Sequence, residues 1–122
     1  MRATSSTSAG AIYLDRDERL EELREAARRA ASRMPAFSRV VLFGSLASGR
    51  PTARSDADLV VIVDSSPHAE PRDRIPGVLA AFSPLPCPLD VFVLTREEVE
   101  RHSREGSPLL RVALSTGIDL IG

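Results

Sequence analysis

Three aspartates, a glycine and a serine are the residues of this chain whose types and spacing could carry chemistry. Within VLFGSLASGRPTARSDADLVVIVD (residues 41–64), an apolar run ends in Gly44–Ser45, ten residues intervene, and Asp56 and Asp58 flank Ala57 as a second apolar run begins. Asp90 stands second in a third such run, between Leu89 and Val91. If the second run is a strand, period-two geometry puts Asp56 and Asp58 on one face, about 6.6 Å apart. Two carboxylates at that separation repel by roughly 2.5 kcal/mol at an effective dielectric of 20. A divalent cation offsets the repulsion, and hard carboxylate oxygens suit Mg²⁺ or Mn²⁺. On a strand beside the second, Asp90 can converge on the same cations. Gly44 lets a phosphate approach the backbone, while the Ser45 hydroxyl and exposed amides can hold anionic oxygens. Phosphate on one side and metal-holding carboxylates on the other are the equipment for phosphoryl or nucleotidyl transfer.

Strands and helices must position these groups, and the pattern of the chain supplies both. Residues 1–14, rich in Ser, Thr and Ala, read as a flexible N-terminal segment, and a single domain follows over residues 15–122. Leu20, Leu23, Ala27, Ala30 and Met34 recur at helical steps and predict a leading helix over 15–34. Asp15 with Glu18 three residues on can form a capping box, and Pro35 blocks continuation. Arg39–Phe43, Leu59–Val63 and Leu89–Leu94 read as strands, apolar on both faces and so covered on both. His68–Phe82 has helical spacing at Ile75, Val78, Leu79 and Phe82, against Pro76 and Gly77. Thr95 with Glu98 forms another capping box and opens a short polar helix. Ser107–Pro108 starts one more, Gly117 ends it, and Ile118–Ile121 reads as a final edge strand.

The chain has 122 residues, 43% hydrophobic and 27% charged, with a formal net charge of −1. That is one domain's worth, able to bury about two-thirds of its unfolded surface without staples. All 16 basic residues are arginine, and lysine, asparagine, glutamine and tryptophan are absent. The balanced charge argues against a surface that coats nucleic acid. No apolar run approaches the roughly 20 residues of a membrane span. The single cysteine, Cys87, excludes an internal disulfide and fits a reducing compartment, so a cytoplasmic location is expected.

Gly44-Ser45, ten residues, Asp56-Ala57-Asp58 and an aspartate on a later strand resemble the minimal nucleotidyltransferases, of the superfamily with a DNA polymerase β-like core. The resemblance spans residues 39–95, with the 109–121 segment resembling that family's tail. It implies a small α/β palm: a mixed three- to four-stranded sheet flanked by helices. It implies Mg²⁺, Mn²⁺ being an alternative, in a two-metal site held by Asp56, Asp58 and Asp90, with Asp90 near the attacking hydroxyl. Gly44 and Ser45 would contact the β- and γ-phosphates of a nucleoside triphosphate, taken as ATP. It also implies a HEPN-type partner protein, as in toxin–antitoxin pairs, in which AMP is attached to a tyrosine of the toxin. Many relatives carry arginine before the second glycine of the loop. This chain has Ser48 before Gly49, with Arg50 and Arg54 as the nearest cations. The alternative reading is a binding module that masks its partner without chemistry, as a heteromer; a homo-oligomer is also open.

Each feature taken alone has an ordinary structural reading. Asp56 and Asp58 could be a solvated strand edge, Gly44–Ser45 a tight turn, and Asp90 a turn residue after Pro88. Their conjunction is what points to a site. Asp64, Asp119, His68 and the Arg96…His102 pair read as surface, and Cys87 reads as a small apolar filler. Arg24, Arg28, Arg29 and Arg33 are interleaved with glutamate and read as a solvated helix face.

Overall fold

The computed structural model describes residues 9–44, 47 and 57–121, residues 9–15 by backbone alone. Helix α1 spans Ala9–Arg33 and strand β1 Phe37–Phe43. Strand β2 spans Ala57–Val63, and a 3-10 turn at Pro71–Arg74 leads into helix α2, Ile75–Phe82. Strand β3 (Leu89–Thr95), helices α3 (Arg96–Arg104) and α4 (Pro108–Thr116), and the short strand β4 (Ile118–Asp119) follow. Helix α1 starts at Ala9, so Asp15 lies inside it rather than capping it. Met34 donates its N–H to Ala30 O at 2.8 Å, and the chain turns at Pro35 as expected.

The four strands form one mixed sheet in the order β3-β2-β1-β4. Strands β1 and β2 run antiparallel, with a register shift between Phe37 and Arg39; β2 and β3 run parallel, joined through α2. A parallel pair needs such a crossover, because a tight turn can only reverse the chain. Strand β4 adds two residues antiparallel to β1, opposite Val41 and Leu42. Gly117 sits where α4 gives way to β4, and a Cβ there would collide with Ala113 O and Val41 Cγ1. That close approach lets β4 reach β1.

One face of the sheet is deeply covered. Leu23, Ala26, Ala27 and Ala30 of α1, with Val78 and Phe82 of α2, pack on Val40, Leu42, Leu59, Val61 and Val93. The alanines let α1 lie close, and each buried Leu, Val or Phe contributes about 1.5–3 kcal/mol. The other face is covered by α3 and α4 through Val99, Leu110, Ala113 and Leu114, against Val60, Ile62 and Leu94. That cover is partial. Strand β3 is an edge rather than an interior strand, and Asp90 and Phe92 on its second face are exposed. Among the described residues no helix is long and apolar enough to cross a membrane.

Two polar devices lock the helices. Arg29 and Arg33 do not simply face solvent: they donate to the carbonyls of Ala81, Phe82, Ser83 and Pro84 at 2.7–3.2 Å. Cations there satisfy the orphan carbonyls at the C-terminus of α2 and complement its dipole. Helices α3 and α4 carry the expected caps, with Thr95 and Glu98 in a reciprocal capping box and Ser107 accepting from Leu110 N.

Candidate active site

The sheet brings two of the three predicted carboxylates together. Asp58 is opposite Phe43 on β1 and in register with Asp90 on β3. Register partners on parallel strands lie about 4.8 Å apart and point to the same face. That face is the partly covered one, so the carboxylates stand at its open end. Asp58 is half-buried and Asp90 exposed. Leu59 and Val91, one residue on, point into the main core, which fixes the facing of both aspartates.

Gly44 closes the third side. It follows β1 directly and has φ +81°, a left-handed conformation that L side chains rarely adopt. A Cβ built there would run into Asp58 Oδ2 and lie 3.3 Å from Asp58 Cγ. Glycine is therefore required twice, for backbone conformation and for room beneath the carboxylate. Gly44→Ala is expected to cost about 1–2 kcal/mol of stability from the left-handed conformation. It should also displace the Asp58 carboxylate, so activity falls by more than the stability loss explains; urea unfolding and turnover assays on the same samples check both.

Ser45 and Asp56 lie outside the described residues, as do Ser48, Gly49, Arg50 and Arg54. Ala47 is described: it packs against the core, and its carbonyl accepts from Arg16 Nη2 of α1 at 3.3 Å. Among the described residues no group of three His, Cys, Asp or Glu side chains forms a metal cage. The donor set nonetheless fits a hard cation. Asp58 and Asp90 lie in register on neighbouring strands at the open end of the sheet, and carboxylate oxygens are the donors that a hard cation takes.

Aromatic residues flank the carboxylates, a feature the sequence reading passed over. Phe43, next to Gly44, meets Phe92 with ring centroids 6.1 Å apart and planes tilted 44°. The signal was available in the alternation Asp90, Phe92, Leu94 along one face of β3. The other candidates lie elsewhere. Arg96 pairs with Asp64 at 3.4 Å, and His102 is 4.0 Å from Glu105. A groove of about 710 Å³ lies at the far end of β1, lined by Arg24, Arg28, Ser38, Arg39 and Asp119. Its Arg39 is already held by Asp119 through bonds of 2.8 and 3.3 Å, and neither Gly44, Asp58 nor Asp90 lines it.

Comparison with known proteins gives the family and the fold of the chain. The profile of the Nucleotidyltransferase domain family matches residues 20–116. A crystal structure of a Sulfolobus solfataricus protein assigned as a nucleotidyltransferase superposes with a TM-score of 0.62 at 23% identity. The match covers 80% of this chain and 85% of that one, and at this identity it establishes shared fold. No curated protein sequence matches the chain significantly.

Proposed function

Because the chain belongs to the Nucleotidyltransferase domain family, we propose that it moves AMP from ATP to a hydroxyl, the acceptor being a tyrosine of a HEPN-type partner that it thereby restrains as an antitoxin. The observation that carries this reading is the register of Asp58 with Asp90 beside the positive-φ Gly44. Phosphate-binding backbone and paired carboxylates then meet at one end of the sheet. In the transfer, the acceptor oxygen bonds the α-phosphorus, the bond to the bridging oxygen breaks, pyrophosphate leaves and the hydroxyl proton goes to solvent.

Asp58 and Asp90, with Asp56, would hold Mg²⁺. When bound, that ion supplies positive charge to the triphosphate and lowers the pKa of the acceptor hydroxyl. Gly44, with no side chain, lets the β- and γ-phosphates approach the backbone, and Ser45 adds a hydroxyl donor. Asp90, exposed at the sheet edge, orients the incoming acceptor. The cytoplasm is the matching setting, with ATP abundant and Cys87 reduced.

Masking without chemistry is the competing reading, and Ser48 in place of the arginine carried by many relatives favours it. One experiment separates the two. The chain is recovered from its own cells with whatever partner it holds, given Mg²⁺ and ATP, and each component is weighed intact. Mass added to the partner in nucleoside-monophosphate steps, and absent with Asp90→Asn, is the expected result. A partner that binds both forms equally and never gains mass would establish masking.

A further inference from the structure

The carboxylate face does not end at Asp90. Two residues along β3, about 6.6 Å on and on the same side, stands Phe92. Of the four phenylalanines in the chain, Phe37 and Phe82 are buried together in the main core. Phe92 is different. It keeps 39% of its surface exposed although the neighbouring face at Val60, Ile62 and Leu94 is covered by α3 and α4. Its ring leans on Phe43, the residue before Gly44, so the two rings bridge from β3 to β1 across β2 beside Asp58. The contact with Phe43 accounts for the covered side of the ring and leaves the other side open on the sheet edge. Next to a group that orients a hydroxyl, it offers a planar apolar wall.

We infer that Phe92, backed by Phe43, forms the acceptor subsite and selects a hydroxyl borne on an aromatic ring, as in a tyrosine side chain. This rests on the transferase reading above and adds the residue that chooses the acceptor. The strand decides between acceptor and nucleobase as occupant. The ring is on β3, the strand of Asp90, whereas the phosphate-approaching Gly44 follows β1 with β2 between them. Tyrosine fits both halves of such a subsite, its ring against Phe92 and its hydroxyl toward Asp90. Aromatic rings packed in offset or tilted arrangements gain specificity beyond their buried area. A serine or threonine hydroxyl reaching Asp90 would leave the ring of Phe92 in water.

The test uses N-acetyltyrosinamide and N-acetylserinamide as acceptors, with the full chain, Mg²⁺ and ATP. AMP adducts are counted by mass spectrometry, and AMP released by transfer to water is counted in the same reaction. The tyrosine probe is expected to be preferred about tenfold in kcat/KM. Phe92→Ala should raise the KM for the tyrosine probe about tenfold. It should leave the KM for ATP and transfer to the serine probe within about twofold, and Phe92→Trp should restore the preference. An unchanged KM for the tyrosine probe, or a rise in the KM for ATP instead, overturns the assignment and leaves the transferase reading standing. So does transfer to water without any tyrosine adduct. If neither AMP nor any adduct forms, the transferase reading falls, and the acceptor subsite with it.

Discussion

Asp58→Asn is expected to lower nucleotidyl transfer by about 100- to 1,000-fold while the chain stays folded. The substitution keeps the shape that sits over Gly44 and removes one negative charge from the pair in register on β2 and β3. Charge stabilisation by a cation at such a site is worth several kcal/mol in the transition state, and about 1.4 kcal/mol is tenfold in rate. On the proposed reading the neutral amide would hold a cation poorly, and the loss would fall on the chemical step. The neighbouring residues Leu59 and Val91 pack in the main core, and the substitution leaves them in place. Asp90→Asn should act in the same direction. Single-turnover assays with ATP, beside circular dichroism and partner pull-down, check the prediction. A variant that transfers at the wild-type rate would show that the carboxylate pair does no chemistry.

Arg74→Ala is expected to cost about 3–5 kcal/mol of stability, the largest structural effect of any single substitution considered. Arg74 is the buried charged residue among the described ones, at 6% exposure. Its guanidinium donates to Glu98 Oε1 at 2.7 Å and Oε2 at 3.0 Å, and to the carbonyls of His68, Ala69 and Val93 at 2.9, 3.3 and 3.1 Å. Glu98 in turn accepts from the Thr95 amide at 2.9 Å. One side chain thus ties the loop before the 3-10 turn to β3 and to the start of α3. Removing it leaves the partly buried Glu98 carboxylate and three carbonyls without their donor. Arg74→Lys should recover only part of the loss, because an ammonium cannot reproduce the five-donor fork. Urea unfolding at neutral pH measures both variants.

The same pair sets a pH dependence. The Arg74 guanidinium holds the Glu98 carboxyl down at about 2, against an ordinary value of 4.5, with burial opposing the shift. A carboxyl depressed in the folded state stabilises fully above its unfolded pKa and loses that contribution as pH falls through its folded value. Stability contributed by Glu98 should therefore hold at neutral pH and drain away between about pH 4.5 and 2. In Arg74→Ala the acid-side loss from this carboxyl should be much shallower. Denaturation curves at stepped pH test the sign.

Much of the architecture was legible residue by residue. The strand cores, the Thr95–Glu98 and Ser107 caps and the stop at Pro35 are local features, written in apolar runs, side-chain acceptors and a blocked backbone. Gly44, Asp58 and Asp90 could be singled out because a glycine at a strand end and carboxylates in apolar runs need explaining wherever they occur. The start of α1 was misplaced at Asp15, since a good cap was present and the Ser- and Ala-rich residues ahead of it have no apolar stripe. Arg74 was passed over, as an arginine between Asp73 and Ile75 looks like surface until its partner is known.

The sequence by itself singled out Gly44, Asp58 and Asp90 as candidates for phosphate and cation, and it marked the cores of the strands and most of the helices. Pattern and capping act within a few residues of one another. Only the tertiary structure decided that β1 meets β2 antiparallel while β3 joins β2 in parallel, and hence that Asp58 faces Asp90 with Phe43 and Phe92 beside them. Strand direction and register depend on pairings between residues 15 to 32 positions apart, on crossover geometry and on the burial of Leu23, Leu59 and Phe82 in one core. A one-residue slip between β2 and β3 would keep every local preference and place Asp90 on the opposite face.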